Sequence, residues 1–444
     1  MKNIKKQDKQ IYNAIQNEIQ RQQEGIELIP SENIASLAVI EALGTPLTNK
    51  YSEGYSGARY YGGQEYIDEI ETLAIERAKK LFGVPYANVQ PYSGSPANLA
   101  VYVALCQPGD TIMGQGLLDG GHLTHGWKAS ATSMFYNAIQ YHVKENGWLD
   151  FEEIEALAKK HKPRLLWVGA TAYVREFPFK KFAKIADEID AYLVADIAHI
   201  SGLIIAGVHN SPVPYAHVIT TTTHKTLRGP RGGMILVTEK GLKKDPELGK
   251  KINSAIFPNL QGGPHNHQTA AIAVALGEAL KPSFKKYGKQ IVVNAKALAE
   301  ELIKKGAKLI SQGTDNHMML IDCGIGRGVL LETALDIAGI TLNKNTIPRE
   351  QSSPFYPSGV RLGTPSVTTR GMKILQMRKI AGWIMEVIKE IEKYEFPSDK
   401  TKRSDYLKKF NSTMKQNKTL KKIKQEVKIL CKKFPAYMDI TLWN

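Results

Sequence analysis

The sequence predicts an α/β protein in which a large domain built on a mainly parallel sheet precedes a smaller α+β domain. Two observations carry this prediction. From about Val89 onward, short apolar runs typical of buried strands alternate with amphipathic segments typical of helices. Strands separated by helices of about 10 to 12 residues form βαβ units, in which neighbouring strands run parallel. Lys281-Pro282 then closes an Ala-rich helix and marks a domain boundary.

Each element follows from a local pattern, beginning with a polar helical arm over residues 1–25. Continuous apolar runs predict strands at Asp110–Met113, Leu165–Val168, Ala191–Ala195, His217–Thr220, Met234–Val237 and Met318–Asp322. Helical periodicity predicts helices at Ala97–Leu105, Phe151–His161, Phe179–Ile189, His265–Leu280, Ile291–Lys305 and Gly371–Lys393. We therefore divide the chain into the arm, a large domain over residues 26–282 and a small domain over residues 283–444.

The composition limits the classes of protein to which the chain can belong. Apolar residues make up 43% of the 444 residues and charged residues 23%, which excludes a disordered or collagen-like chain. The three cysteines are scattered and odd in number, which favours a reducing compartment over a disulfide framework. No apolar run reaches the length of about 18 residues that indicates a membrane span. We therefore expect a cytoplasmic protein without a membrane partner.

The net charge of +16 is concentrated in one stretch. Residues 400–433 contain 13 basic and two acidic residues, a net charge of +11, whereas the rest of the chain carries +5. We interpret the stretch as a solvated, lysine-covered helical face, because it carries no nucleic-acid-binding motif. No nucleic acid is required as a partner. A polyanion-binding function remains an alternative, which salt dependence and truncation after Pro397 would test.

Two predicted strand ends carry residues with the chemistry of a catalytic site. Asp196 follows the strand Ala191–Ala195, and Lys225 follows the four threonines at the end of the next strand. Ligands of parallel α/β sheets collect beyond such carboxyl ends. An Asp and a Lys at neighbouring ends fit pyridoxal phosphate, because the Lys forms a Schiff base and the Asp pairs with the pyridinium nitrogen. Taken singly, Asp196 is equally a helix cap and Lys225 a surface lysine.

A third segment supplies a place for the phosphate of that cofactor. Pro91–Pro96, with the sequence PYSGSP, leads directly into the helix Ala97–Leu105. Hydroxyl groups and free backbone N–H groups at a helix N-terminus bind phosphate. The segment alone is an ordinary capped helix start. Together with Asp196 and Lys225 it indicates a pyridoxal phosphate site.

Blocks of sequence spread along most of the chain resemble the signature blocks of serine hydroxymethyltransferases. They are Leu28–Asn33, Leu47–Tyr55, Arg59–Gly63, Gly120–Gly126, Thr220–Gly233, Gln261–Pro264, Gly313–His317, Asn343–Asn345 and Ser358–Pro365. The resemblance runs from about Ile26 to Ile391 and resumes at Val427–Tyr437. So many blocks in the same order are more specific than any single motif.

The resemblance implies a fold, a reaction and an assembly. The fold would be that of fold-type I pyridoxal phosphate enzymes, similar to aspartate aminotransferase, with a mainly parallel seven-stranded sheet. The reaction would be the reversible transfer of the hydroxymethyl group of serine to tetrahydrofolate, which gives glycine and 5,10-methylenetetrahydrofolate. The protein would be a homodimer or tetramer with active sites at the subunit interface.

The resemblance also implies a role for each matched residue around pyridoxal 5'-phosphate. Lys225 would form the Schiff base, and Asp196 would keep the pyridine nitrogen protonated. His122 would stack on the ring, His199 would lie near its phenolic oxygen and the substrate, and His224 would be part of the catalytic group. The remaining cofactor contacts would be Ser93, Gly94, Ser95, Thr171, Gly262 and Gly263, with Gly263 reaching in from a second subunit.

Substrate and folate contacts follow from the same comparison. Arg361 would clamp the amino-acid carboxylate through two hydrogen bonds, assisted by Ser31. Glu53 would handle protons between serine and folate, although its local sequence also suits a surface Glu. Tyr51 and Tyr61 would line the pocket from across a dimer interface. The folate contacts would be Glu53, Tyr60, Leu117, Gly121, Leu123, Asn345 and Phe355.

Some positions depart from the family pattern. Tyr92 and Pro96 stand where His and Gln are commoner in the phosphate cup, and Asp119 replaces a frequent His. Thr171 replaces a usual Ser and keeps the hydroxyl group. None of these changes removes a group assigned above, but Asp119 adds a charge beside Leu117 in the expected folate site.

Two further motifs are excluded as sites. Gly324–Gly328 resembles a dinucleotide-binding loop, but its last glycine comes one position too early. The pairs His122/His125 and His265/His267 lack cysteine ligands and a third ligand at a sensible spacing, so no metal site is expected.

An alternative function uses the same core residues. Lys225, Asp196 and Arg361 would also support the cleavage of threonine or allothreonine by a folate-independent aldolase. Glu53, Tyr60, Leu123 and Asn345 favour the folate-dependent reaction, because an aldolase has no need of them.

Overall fold

The computed structural model describes residues 1–437 of the chain. Its residues divide into two compact units. Ala35–Lys289 form one, here called the sheet unit, and Met1–Ile34 with the described part of Gln290–Asn444 form the other, here called the terminal unit. Residues 438–444 of the predicted small domain lie outside the described residues. The predicted domain limits after residues 25 and 282 remain predictions, because compactness alone does not define a domain.

The chain alternates helices and short strands along most of its length. The strands in chain order are β1 (Ile26–Glu27), β2 (Gly54–Tyr55), β3 (Ala58–Arg59), β4 (Tyr86–Asn88), β5 (Thr111–Gln115), β6 (Asn137–Tyr141), β7 (Leu165–Val168), β8 (Tyr192–Asp196), β9 (Val218–Thr222), β10 (Gly233–Val237), β11 (Met318–Asp322), β12 (Ile340–Thr341), β13 (Asn343–Asn345) and β14 (Gly359–Gly363).

The α-helices in chain order are α1 (Lys2–Gln7), α2 (Lys9–Glu24), α3 (Leu37–Leu43), α4 (Glu65–Phe82), α5 (Gly94–Leu105), α6 (Ala131–Phe135), α7 (Phe151–His161), α8 (Phe179–Glu188), α9 (Ser201–Ile205), α10 (Glu239–Lys244), α11 (Leu248–Ser254), α12 (Asn266–Ala279), α13 (Pro282–Lys304), α14 (Gly328–Ile337), α15 (Pro365–Thr369), α16 (Ile374–Ile391), α17 (Arg403–Gln416) and α18 (Lys418–Lys433). Single turns of tighter helix lie at Pro46–Asn49, Leu117–Asp119, Leu123–His125, Ile310–Gln312 and Lys400–Lys402, and a wider turn lies at Ala255–Leu260.

The sheet unit contains the seven-stranded, mainly parallel sheet implied by the resemblance, and the α/β fold class is confirmed. The strand order is β4–β10–β9–β8–β7–β5–β6. The strands β9, β8, β7, β5 and β6 are mutually parallel, whereas β10 pairs antiparallel with both β4 and β9. Consequently the carboxyl ends of β8 and β9 lie side by side at one edge of the sheet, where α/β proteins bind ligands.

Local chemistry explains where the helices of this unit begin and end. Asp150 accepts a hydrogen bond from the Glu153 N–H at the start of α7, a standard N-cap. Gly83 ends α4 in the left-handed conformation (φ +67°), which glycine adopts without steric cost. Pro282 begins α13, because a proline at the first helical position loses no helical hydrogen bond.

The terminal unit is an α+β layer. The strands β13 and β11 flank β14 in an antiparallel sheet, and β1 pairs in parallel with β12. The core between this sheet and the helices is apolar; it includes Met319, Leu330, Val360, Leu362, Ile380, Ile384, Leu420, Ile423 and Val427. In the basic stretch, α18 buries Leu420, Ile423 and Val427, and most of its lysines remain exposed. Within residues 1–437, no helix is long and apolar enough to cross a bilayer.

Candidate active site

The two strand ends singled out in the sequence lie next to each other. Asp196 is the last residue of β8 and pairs in register with Thr220 of β9. Lys225 lies in the turn after β9, and the Arg228 N–H donates to its carbonyl oxygen at 3.0 Å. The neighbouring Thr226 hydroxyl donates to the His199 carbonyl oxygen (2.9 Å) and thereby ties this turn to the loop after β8. The two loops that carry the predicted chemical groups therefore support each other.

Asp196 is held as a carboxylate by donors that come from other elements. Its Oδ2 accepts hydrogen bonds from Asn98 Nδ2 (2.9 Å) and His125 Nε2 (3.2 Å), and its Oδ1 accepts from the Ala198 N–H (3.0 Å). Burial works to raise the pKa of Asp196, but His125, with His122 and Lys225 nearby, outweighs that effect and holds the pKa well below its usual range. Asp196 is therefore ionised at neutral pH.

His125 and Asn98 are functional neighbours that the sequence did not reveal. His125 is buried and stacks on Trp167, with ring centroids 5.0 Å apart. Asn98, one turn into α5, donates from the same amide nitrogen to the Thr124 hydroxyl at 2.8 Å. The block Gly120–Gly126 contained His125, but only the sheet order places it against Asp196.

His122 lies beside this cluster in a neutral state. Its Nδ1 accepts from the Thr124 N–H (3.3 Å) and lies 2.8 Å from the Thr124 hydroxyl oxygen. Burial lowers the pKa of His122 to about 4, although Asp196 partly opposes that shift. An uncharged imidazole at this position suits stacking on an aromatic ring.

His122, His125 and Asp196 offer ligand atoms within 4.8 Å of one another. No third ligand lies at a sensible spacing from the pair His122/His125 in the sequence, but the fold supplies a potential one. Asp196 is distant in sequence, and the sheet brings it to the pair. Because Asp196 Oδ2 already accepts from His125 and Asn98, the three residues form a hydrogen-bonded cluster. The absence of a metal site remains a prediction.

His199 and His224 lie in the same two loops as Asp196 and Lys225. His199 is buried, and His224 is half-buried. Burial, with the charges of Lys225 and Arg231, lowers the pKa of His224 to about 3, so this side chain is neutral. The charge of Lys225 contributes to the lowered pKa of Asp196.

The predicted phosphate cup is the N-terminus of α5. The side chain of Ser93 does not cap the helix, so its hydroxyl is not used for that purpose, and Ser95 follows in the first turn. A Cβ atom added to Gly94 would lie 2.7 Å from Thr222 Cγ2, so the helix start packs tightly on β9. Thr171 lies in the neighbouring loop, where its N–H donates to the Gly120 carbonyl oxygen at 2.7 Å.

Tyr51, Glu53, Gly262 and Gly263 form a second cluster. The Tyr51 hydroxyl donates to Glu53 Oε1 at 3.2 Å. A Cβ atom at Gly262 would lie 3.3 Å from Glu53 Oε1, and one at Gly263 would lie 3.4 Å from the Tyr51 ring. Glu53 raises the pKa of Tyr51 by accepting its hydrogen bond. The ring of Tyr61 meets that of Tyr51 edge-on at 5.4 Å.

The predicted folate contacts of the sheet unit range from buried to exposed. Tyr60 is 74% exposed and Leu123 50%, whereas Leu117 is half-buried and Gly121 buried. Asp119, the departure noted beside Leu117, turns its carboxylate toward His142, with Oδ2 3.9 Å from Nε2.

Four predicted site residues belong to the terminal unit. Arg361 is a buried residue of β14, and its Nε donates to Asn343 Oδ1 at 3.2 Å. Burial lowers the pKa of Arg361 to about 10, which leaves it charged at neutral pH. Ser31 and Asn345 are half-buried, and Phe355 is 77% exposed.

The residues of the sheet unit fit pyridoxal phosphate. An ionised Asp196, whose side chain is only 10% exposed, suits a protonated ring nitrogen, and Lys225 supplies an amine at the adjacent strand end. The start of α5 offers first-turn N–H groups and two hydroxyls to a phosphate. Fold and site together define a fold-type I pyridoxal phosphate enzyme.

Comparison with known proteins narrows this class to one family. The profile of the serine hydroxymethyltransferase family matches residues 4–384. A serine hydroxymethyltransferase of Acidothermus cellulolyticus is 56% identical over 390 residues, which cover 87% of this chain and 90% of that protein. One of Rhodospirillum centenum is 50% identical over 433 residues, 97% of this chain and 95% of that protein. The chain belongs to the serine hydroxymethyltransferase family.

Membership of the family establishes the chemistry predicted from the sequence. The enzyme transfers the hydroxymethyl group of serine reversibly to tetrahydrofolate and forms glycine and 5,10-methylenetetrahydrofolate. Pyridoxal 5'-phosphate is its cofactor, and tetrahydrofolate is its co-substrate.

Proposed function

We propose that Lys225, Asp196 and Arg361 carry the core of this reaction and that Glu53 adapts it to folate. The single observation that supports the proposal most strongly is the placement of Asp196 and Lys225 at adjacent carboxyl ends of β8 and β9. When bound, pyridoxal phosphate would supply an electron sink for cleavage of the bond between the α and β carbons of serine. The residues of this chain bind, orient and move protons around that event.

Each core residue has a physical task. Lys225 would hold the cofactor covalently through its Nζ. Asp196, kept ionised by His125 and Asn98, stabilises a proton on the ring nitrogen and so increases the capacity of the ring for electrons. Arg361 orients the carboxylate of serine through its planar guanidinium, which selects the bond that breaks.

Glu53 is proposed to move a proton between the hydroxymethyl group of serine and the folate. Its carboxylate accepts a hydrogen bond from the Tyr51 hydroxyl, so a proton donor lies directly beside it. Such a pair can take a proton from the hydroxyl group of serine and return it as folate captures the one-carbon unit.

Loss of the amine of Lys225 tests the core assignment. Lys225→Ala should abolish the covalent cofactor adduct that borohydride reduction traps in the wild-type protein, because no other group of the site is proposed to bind the cofactor covalently. Mass spectrometry of the reduced protein checks this result. Lys243→Ala, at an exposed position in α10, is the matched control. A trapped adduct in Lys225→Ala would contradict the assignment.

A substitution of Glu53 separates the folate reaction from the alternative aldolase reaction. Glu53→Gln keeps the shape of the side chain but removes its ionisable group, so folate-dependent serine cleavage should fall by at least 100-fold, within the range of general acid–base catalysis of about 10²–10⁴. Folate-independent cleavage of allothreonine should persist. Steady-state rates with both substrates check the prediction, and equal losses would show that Glu53 serves the carbon–carbon cleavage itself or the fold.

We infer that the protein works as a homodimer at least, and in the cytoplasm. Exposed aromatic rings beside the predicted site support an interface there, since Tyr51 is 55% and Tyr61 48% exposed. The thiols of Cys106, Cys323 and Cys431 are unpaired, which supports a reducing compartment. Cell fractionation tests the location.

A further inference from the structure

Tyr92 joins the phosphate cup to one particular segment of the chain. It directly precedes Ser93, the N-cap residue of α5. Its backbone N–H donates to Gln261 Oε1 (3.0 Å), and its hydroxyl donates to the Gly263 carbonyl oxygen (2.8 Å). Its ring stacks on His265 with centroids 4.1 Å apart and planes 4° apart. Three contacts of different kinds therefore converge on residues 261–265.

Gln261, the first residue of this segment, makes a second contact with the chain around Pro91. Gln261 Nε2 donates to the Gln90 carbonyl oxygen at 2.9 Å, so Gln261 bridges the backbone on both sides of Pro91. The Gly233 N–H donates to the Pro91 carbonyl oxygen at 3.0 Å, which fixes this stretch against β10. Residues 90–92 thus form a rigid support, and Tyr92 is the side chain that reaches from the support to the segment.

A displacement of residues 261–265 would also displace the side chains of Tyr51 and Glu53. The Cα atoms of Gly262 and Gly263 approach Tyr51 and Glu53 so closely that an added Cβ would lie 3.3 to 3.4 Å from their side chains. The phenolic group of Tyr92 is half-buried, and burial followed by the charges of Tyr51 and Glu53 raises its pKa. Tyr92 stays protonated and can keep donating to Gly263.

We propose that Tyr92 is a positioning residue for the hydroxymethyl transfer. It holds residues 261–265, and through them the side chains of Tyr51 and Glu53, in their positions beside Gly262 and Gly263. This inference rests on the proposed role of Glu53. The hydroxyl and the ring of Tyr92 contribute separately to this positioning. The hydroxyl donates to the Gly263 carbonyl oxygen, and the ring stacks on His265.

Graded substitutions separate the two contributions. Tyr92→Phe removes the hydrogen bond to Gly263 and keeps the stack, so kcat for folate-dependent serine cleavage should fall roughly three- to tenfold. Tyr92→Leu removes both contacts and should lower kcat further. The KM for serine and the rate of folate-independent allothreonine cleavage should change by less than about twofold in Tyr92→Phe. Tyr192→Phe, at the opposite end of β8 from Asp196, is the matched control and should keep wild-type rates.

A double-mutant cycle tests whether Tyr92 acts through Glu53. In the Glu53→Gln background, Tyr92→Phe should change folate-dependent cleavage by less than about twofold, because the group it positions is already lost. Full additivity of the two substitutions would overturn the inference. Equal falls in both cleavage reactions for Tyr92→Phe would also overturn it, since they indicate a purely structural role.

Failure of the two proposals can be told apart. Unchanged folate-dependent cleavage in Glu53→Gln would overturn the role of Glu53 and with it this inference. A normal effect of Glu53→Gln together with wild-type rates in Tyr92→Phe and Tyr92→Leu would overturn this inference alone.

Discussion

Side chains distant in sequence set the charge states of the site residues. Burial works to raise the pKa of Asp196, and the hydrogen bond from His125 is the largest effect that opposes it, while the amide of Asn98 donates a second hydrogen bond to the same oxygen. Truncating either donor leaves a buried carboxylate with less compensation, which costs about 1–3 kcal/mol for an unmade hydrogen bond. The chemistry assigned to Asp196 is therefore a property of a group of residues.

Glu27, in the terminal unit, has a raised pKa, in contrast to the lowered pKa of Asp196. Its side chain is 15% exposed, and its Oε1 accepts from the Ile29 N–H at 3.0 Å. Burial, followed by the neighbouring carboxylate of Glu32, raises the pKa of Glu27 to about 8. The folded protein therefore binds this proton more tightly than the unfolded chain, whose Glu has a pKa of about 4.3.

This shift predicts a pH dependence of stability. The contribution of Glu27 is fully present below about pH 4 and is lost as the pH rises to about 8, because the folded state binds more protons in that window. Glu27→Gln should therefore become more stable relative to the wild type between pH 5 and pH 8. Urea unfolding at several pH values measures the difference. Exposed Glu300→Gln is the control, and a parallel pH profile for wild type and Glu27→Gln would contradict the pKa.

At the scale of elements, the cup depends on how closely α5 approaches β9. The first residue of the helix, Gly94, leaves no room for a side chain, since a Cβ would lie 2.7 Å from Thr222 Cγ2. This packing keeps β9 in contact with α5. The strand leads to Lys225, and the helix offers its N-terminus to the phosphate.

Two glycine substitutions test this packing. Gly94→Ala should push α5 away from β9 and weaken binding of pyridoxal phosphate by at least about tenfold, the equivalent of about 1.4 kcal/mol. Gly382→Ala, inside α16 with nothing within 4 Å of the added Cβ, should keep cofactor affinity and stabilise the fold by about 1 kcal/mol. Spectroscopic cofactor titration and thermal unfolding give both quantities. Unchanged affinity in Gly94→Ala would show that the helix start tolerates displacement.

At the scale of the whole molecule, the question is whether Tyr51 and Glu53 serve the site of their own chain. Both lie in the sheet unit close to Gly262 and Gly263, and Tyr51 is 55% exposed. Exposed aromatic residues are enriched in the interfaces between subunits. A shared site would make the oligomer the active species.

Mixing two inactive variants tests shared sites. Hybrid dimers of Lys225→Ala and Glu53→Gln chains contain one site with an intact Lys225 and an intact Glu53 only if Glu53 acts across the interface. An equal mixture refolded together should then recover about a quarter of wild-type activity, because half of the dimers are hybrids with one intact site each. Activity no higher than that of the separate variants would show that Glu53 serves its own chain.

Much of the fold was predictable because buried strands and helices have recognisable patterns of apolar residues. The apolar run Leu165–Val168 and the periodic segment Phe151–His161 match β7 and α7 residue for residue. The less apolar β6 and the short β4 escaped prediction, since neither has a continuous apolar run. The blocks that contain Gly, His and Lys likewise identified the family, because each block requires particular residues for its backbone conformation or its chemistry.

The fold class, the family and the positions of Lys225 and Asp196 at strand ends could all be predicted from local sequence patterns. The residues that surround Lys225 and Asp196 could not, because they come together only in the folded chain. The contacts of Asp196 with Asn98 and His125, and of Tyr92 with Gln261 and Gly263, join positions that lie 71 to 171 residues apart. Such contacts follow from the order of strands in the sheet, which local periodicity does not encode, because it records burial without recording the neighbour.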